Sequence, residues 1–182
     1  MDTLGLVEAR SIAAGIELAD AMVKAADVEL LRASTICSGR YLIHVGGDRA
    51  AVGTAVALAR ESGRALAGSF VLSGVSTQVL DVLKRSTPPE PGEALGVVEC
   101  RTVAAGIAAA DAAAKRASVT LARLVTGQGI NGKSYFVISG EVAAVEEAVA
   151  AARSVLDAQL VEAVVIPRPS VAVIQTLISV GR

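Results

Sequence analysis

Residues 4–28 of this chain recur at 95–119, and that duplication constrains the fold more than any other feature of the sequence. The offset is a constant 91 positions, and 15 of the 25 aligned residues are identical. A chance match in an Ala-rich chain would share only a few, so the repeat marks a duplicated structural unit. A period of 91 in 182 residues predicts two compact domains of one fold, and any site near a symmetry axis then draws on both. Each small domain has a poor surface-to-volume ratio, which favours association. The hydrophobic fraction of 53% is supplied mostly by Ala, Val, Leu and Ile, since the chain holds only two Tyr and two Phe. That composition suits dense helix–sheet packing and extensive subunit interfaces.

Along each half the pattern reads strand, helix, strand, strand, helix, strand, helix. Residues 5–10 alternate as a strand, and Ser11 is placed to cap the helix that follows. In that helix Ile12, Ile16, Ala19 and Val23 form an apolar stripe expected to pack on a sheet, with Glu17, Asp20 and Lys24 opposite. Strands are expected at 28–35 and 41–45, joined by Ile36-Cys-Ser-Gly-Arg40. Asp48 then caps a second helix, which buries Val52, Val56 and Ala59 and stops before Gly63. A strand at 66–72 and a short helix at 76–84 complete the half. Three of the five prolines fall in 86–93, which divides the chain into domains at 1–86 and 94–182 with a Pro-rich linker at 87–93. In the second half Thr102 replaces Ser11 as the cap, and Val142, Val145 and Val149 make the second helix's stripe. The loop Gly127-Gln-Gly-Ile-Asn-Gly-Lys133 is about two residues longer than its counterpart around Cys37, and divergence within a repeated scaffold is where function often sits.

A net charge of −1 and the scarcity of aromatics leave neither attraction to phosphate polymers nor a stacking platform for bases, which argues against nucleic acid. No basic segment with a long apolar run opens the chain, and no run reaches the length of a membrane span; a cytoplasmic protein is expected. Cys37 and Cys100 do not make a disulfide framework.

Gly-(Leu/Val)-Val-Glu at 5–8 and 96–99, Ala-Asp-Ala-x-x-Lys at 19–24 and 110–115, Gly-(Arg/Lys) at 39–40 and 132–133, a strand ending Gly-(Asp/Glu), and Ile166-Pro-Arg-Pro169 together resemble the bacterial microcompartment (BMC) shell domain. Two copies in one chain resemble the tandem-domain shell proteins. The resemblance implies an α+β fold of two tandem ferredoxin-like domains, closed as a homotrimer whose six domains imitate a hexamer and tile a shell around enzymes. It implies that the hairpin loops line a central pore with Ile36, Cys37, Ser38 and Gly39 from one half and Gly129, Ile130, Asn131 and Gly132 from the other. It also implies that Lys24, Lys115 and Arg168 lie at tile edges, against other shell proteins. Read without it, the two lysines are simply solvated helix positions.

One residue near a threefold axis appears three times, so Cys37 could present three thiolates to three irons of a [4Fe–4S] cluster, with the fourth iron left to a small ligand. Thr35-Ile-Cys-Ser-Gly-Arg40 is similar to the Thr-Ile-Cys-Pro-Gly-Lys loop of iron–sulfur tandem shell proteins, with Ser38 in place of Pro. The alternative is that Cys37 is a small residue lining a cofactor-free pore that conducts metabolites. Arg40 would favour a thiolate in either case.

Other readings are weaker. Residues 127–134 match the phosphate-binding pattern G-x-x-x-x-G-K-[ST], the basis of an alternative NTP-binding enzyme, but Tyr135-Phe-Val-Ile138 reads as a strand where that pattern needs a helix. A small-molecule regulator would need a polar pocket for which no cluster is visible. His44, Glu8, Glu99 and Cys100 are expected in structural roles, and no triad, metal spacing or acid–base pair is found, so the chain is read as no enzyme.

Overall fold

A computed structural model describes residues 1–84 and 92–178; the linker expected at 87–93 lies mostly outside them. The chain divides into two compact units, Met1–Leu80 and Asp81–Arg182. The first copy of the repeat comprises β1 (Thr3–Ala9), α1 (Ile12–Ala25), β2 (Glu29–Ile36), β3 (Arg40–Gly47), α2 (Arg49–Glu61), β4 (Leu66–Ser73) and α3 (Thr77–Lys84). The second comprises β5 (Ala94–Cys100), α4 (Val103–Arg116), β6 (Thr120–Thr126), β7 (Ser134–Gly140), α5 (Val142–Leu156), β8 (Leu160–Pro167) and α6 (Val171–Ile178).

Each copy forms an antiparallel four-stranded sheet, ordered β2-β3-β1-β4 and β6-β7-β5-β8. This is the ferredoxin-like α+β arrangement that the resemblance to the BMC shell domain implied. The central strands β1 and β3 are buried through most of their length, whereas the edge strand β2 is largely half-buried or exposed. Strands covered on both faces carry mostly apolar side chains, and Leu4, Leu6 and Val7 of β1 are all buried. Register shifts recur at repeat-equivalent places, between Glu8 and Ala9 and between Glu99 and Cys100. The pairing of β1 with β3 begins Thr3↔Gly47, and that of β5 with β7 begins Ala94↔Gly140. The repeat offset therefore grows from 91 to 93 across the second hairpin loop, which locates the two-residue insertion there.

The caps form as expected. Ser11 Oγ accepts from the Ala14 amide at 3.4 Å, Thr102 Oγ1 from Ala105 at 3.3 Å, and Asp48 Oδ1 from Ala51 at 2.8 Å. Such a bond satisfies a helix-end amide that otherwise lacks a partner, at about 1 kcal/mol each.

The packing face of α1 differs from expectation. Ile12, Ile16 and Val23 are exposed, at 39%, 54% and 39%, and the buried side is Gly15, Leu18, Ala19 and Met22. Both sets recur at helical spacing, so periodicity alone does not choose between them. Close approach to the sheet chooses: a Cβ on Gly15 would stand 2.4 Å from Tyr41 Cβ, so the helix lies nearer β3 than any larger residue permits. The expected burial of Val52, Val56 and Ala59 on α2, and of Val145 and Val149 on α5, is observed, while Val142 at the start of the α5 stripe is only half-buried.

Candidate functional site: the two hairpin loops

The turn Cys37–Gly39 joins β2 to β3. Ile36 is buried, Cys37 half-buried, and Ser38 and Gly39 are exposed. Ser38 and Gly39 both adopt the left-handed conformation, at φ +67° and +69°. Glycine tolerates that geometry, serine does so at a cost, and proline cannot reach it, because its ring fixes φ near −65°. A proline at position 38 could therefore not hold the turn in this conformation.

The longer loop between β6 and β7 closes on its own backbone. The Gly127 amide donates to the Lys133 carbonyl at 2.9 Å, and the Lys133 amide to Ile130 at 3.1 Å. Gly127, Gly129, Asn131 and Gly132 all have positive φ. Gly129 and Asn131 are exposed, and Ile130 and Gly132 half-buried. This geometry disposes of the phosphate-loop reading. Lys133 and Ser134 run into β7 rather than a helix, Ser134 is buried with its hydroxyl donating to the Thr102 carbonyl at 2.7 Å, and Lys133 pairs with Glu99 at 3.0 Å.

Glu8 and Glu99 are thus structural, as expected, but each has a partner that sequence reasoning missed. Glu8 forms an ion pair with Arg40, at the root of the first loop, as Glu99 does with Lys133 at the root of the second. Arg40 Nε also donates to the Cys37 carbonyl at 3.3 Å. Arg40 thus stands beside Cys37 with two contacts of its own: its guanidinium charge faces the Glu8 carboxylate and its Nε holds the cysteine's backbone. Neither cysteine is in a disulfide. Burial pushes the Cys100 thiol up to about 11, with the Ser134 hydroxyl partly opposing and the Glu99 charge adding, so it is the inert core thiol anticipated. Among the described residues no group of three or more His, Cys, Asp or Glu could hold a metal ion. A single chain supplies one loop thiol, and a three-thiolate donor set requires three chains.

His44 is fully buried, and no hydrogen-bond partner reaches either ring nitrogen among the described residues. Burial lowers its pKa to about 4, the Arg32 charge adding to the shift. The backbone of Arg32, opposite it in register, lies near enough to oppose the shift but not in good hydrogen-bond geometry.

On the helices, Lys24 pairs with Asp20 at 2.6 Å and Lys115 with Asp111 at 2.5 Å, each one turn back. The Asp-x-x-x-Lys spacing was the signal for both pairs. Arg168 is exposed with φ +48°, and its amide donates to the Glu93 carbonyl at 2.9 Å. Strand register (Thr3↔Ser73, Ala94↔Pro167) makes Gly74, at φ +65°, its equivalent in the first copy. An arginine in this conformation costs about 1 kcal/mol relative to glycine. Arg168→Gly is therefore expected to raise the unfolding free energy by about 1 kcal/mol in urea titration.

A surface depression of about 300 Å³ between α1 and α2 is lined by Glu17, Leu18, Leu58, Ser62 and Arg64. Glu17 and Arg64 already pair with each other there, at 2.5 Å.

The BMC domain family matches residues 3–77 and again 94–169. The chain belongs to the BMC domain family of bacterial microcompartment shell proteins, in two tandem copies. Among curated BMC relatives, the bacterial microcompartment shell protein PduT of Citrobacter freundii is 41% identical over 169 residues, covering 91% of this chain and 92% of that one. The carboxysome shell protein CcmK2 of Thermosynechococcus vestitus is 43% identical over 70 residues, 38% of this chain and 69% of its own. A solved tandem-length structure, a microcompartment protein from Desulfitobacterium hafniense, superposes with a TM-score of 0.91 at 42% identity, covering 95% of this chain and 98% of that one. Membership of the BMC family confirms the resemblance drawn from the sequence and places the chain in a microcompartment shell. No helix among the described residues is long and apolar enough to cross a membrane.

Proposed function

We propose that this protein is a non-enzymatic shell tile in which three chains close into a ring, the hairpin loops line its central pore, and Cys37 from each chain ligates a shared [4Fe–4S] cluster. The observation that supports ring closure is an asymmetry between the two copies. Ile12, Ile16 and Leu30 are exposed in the first unit, while the equivalent Val103, Ile107 and Leu121 are buried in the second. A repeated apolar face that one chain leaves open is closed when a second copy packs on it, and a rotation that closes after three chains buries all such faces. The expected result in sedimentation velocity is a trimer; a protomer at every concentration rejects the ring.

The Cys37 turn suits a ligand role: the residue is half-buried beside two exposed small ones, and its carbonyl is already held by Arg40. A cluster bound there supplies one-electron transfer, and the protein would carry electrons between the shell's lumen and its exterior. Anaerobically purified protein is expected to be brown, and Cys37→Ser to lose the visible absorbance and the iron. Colourless, iron-free protein after anaerobic reconstitution would instead favour a pore that conducts small polar metabolites past the exposed Gly129 and Asn131.

Lys24, Lys115 and Arg168 supply the tile-edge contacts with other shell proteins in this reading. The intrahelical aspartates leave each lysine stem aligned along its helix, where it can cover apolar surface of a neighbour. The strain at Arg168 supports a contact role, because a residue kept in a costly conformation is retained for something other than the turn. Enzymes enclosed by the shell are the remaining partners implied.

A further inference from the structure

The first hairpin loop is tied down through one carboxylate. Glu8 comes from β1 and Arg40 opens β3, and their pair sits at the loop root with side chains 15% and 25% exposed. The same guanidinium reaches the Cys37 carbonyl. The carboxylate thus fixes the guanidinium, and the guanidinium fixes the backbone of the turn. That turn needs a restraint, since Ser38 holds a left-handed conformation that a free serine would leave.

The second copy repeats the pair without the second arm. Glu99 and Lys133 are 39% and 43% exposed, and that loop is closed by its own amides and carbonyls. A more exposed pair is more strongly screened by water and salt.

We propose that Glu8 is the positioning residue of the Cys37 loop, acting through Arg40, and that Glu99 is its weaker counterpart for the second loop. Its value for a pore rests on the reading above, whereas the order of the loop does not. Glu8 sets where the Cys37 backbone stands, and the two pairs together set how firmly each kind of loop tip is presented.

The test uses the full chain as purified, at one pH. Amide hydrogen exchange across residues 36–40 reports loop order without any thiol chemistry. Iodoacetamide alkylation of Cys37, read by mass spectrometry, reports access to the side chain, with buried Cys100 as an internal silent control. Glu8→Gln preserves shape and removes the charge, and is expected to raise both rates about tenfold, the scale of one lost charge-assisted hydrogen bond. Arg40→Lys keeps a cation for Glu8 but loses the forked second arm, and is expected to fall between wild type and Glu8→Gln. Glu99→Gln is expected to leave the Cys37 segment unchanged and to loosen residues 127–133 by a smaller factor.

Unchanged exchange and alkylation in Glu8→Gln would overturn the proposal, as would equal loosening of the Cys37 segment by Glu99→Gln, which would signify general softening. Should Glu8→Gln fail to fold, wild-type rates in Arg40→Lys would overturn it alone. The outcomes separate from those for the cofactor. A colourless wild type with a loosened Glu8→Gln loop rejects the cluster and retains the positioning role; a brown wild type with an unaffected Glu8→Gln loop does the reverse.

Discussion

Gly15→Ala is expected to lower the unfolding free energy of the chain by about 2 kcal/mol, while the same substitution at Gly53 raises it by about 1. Both glycines sit inside helices, where alanine gains about 1 kcal/mol through its lower unfolded-state freedom and better propensity. At Gly53 a Cβ meets nothing within 4 Å, so the gain stands alone. At Gly15 it would lie 2.4 Å from Tyr41 Cβ and 2.7 Å from two ring atoms of that side chain. Contacts so short force α1 away from β3, and overpacking of this kind costs up to about 3 kcal/mol. The loss exceeds the gain, and the two variants should move in opposite directions. Urea unfolding followed by far-ultraviolet circular dichroism reads both signs; a stabilised Gly15→Ala would show that α1 is free to shift on the sheet.

The second large effect is a pH dependence carried by His44. Its imidazole titrates near 6.5 in an unfolded chain and near 4 in the folded one, because full burial disfavours the charged ring. A histidine with a lowered folded pKa stays neutral in the fold while the unfolded state takes up the proton. Its contribution is therefore fully present above pH 6.5 and is lost as pH falls from about 6.5 toward about 4, by roughly 3 kcal/mol in total. Strand register supplies the control, since the second copy carries Val137, also buried, at the equivalent position. His44→Val should flatten this part of the stability curve and leave other acid-sensitive groups in place. It also removes two ring nitrogens that find no partner among the described residues, so the variant should be no less stable than wild type at pH 7. An unchanged slope between pH 6.5 and 4 in His44→Val would place the acid sensitivity elsewhere.

Particular elements show why some of this was legible beforehand. Caps at Ser11, Asp48 and Thr102 are local chemistry, decided by residues three apart, and they formed as read. The strand after Lys133 was legible for the same reason, because Tyr135-Phe-Val-Ile138 has no polar face on which a solvated helix could rest. The burying side of α1 was not. Two apolar stripes of equal spacing compete there, and the winner depends on how close Tyr41 stands across the sheet. The Glu8–Arg40 pair was equally hidden, since 32 positions separate its members and only the β1–β3 pairing brings them together.

By itself the sequence determined that there are two units, what elements each contains, and where the copies diverge. Those features follow from duplication and short-range periodicity, which leave their marks in the letters. Tertiary structure alone decided which helix face the sheet accepts, which charges meet at the loop roots, and which of two equivalent apolar faces stays open. These are outcomes of distance, and residues remote along the chain acquire distances only when the strands take their register.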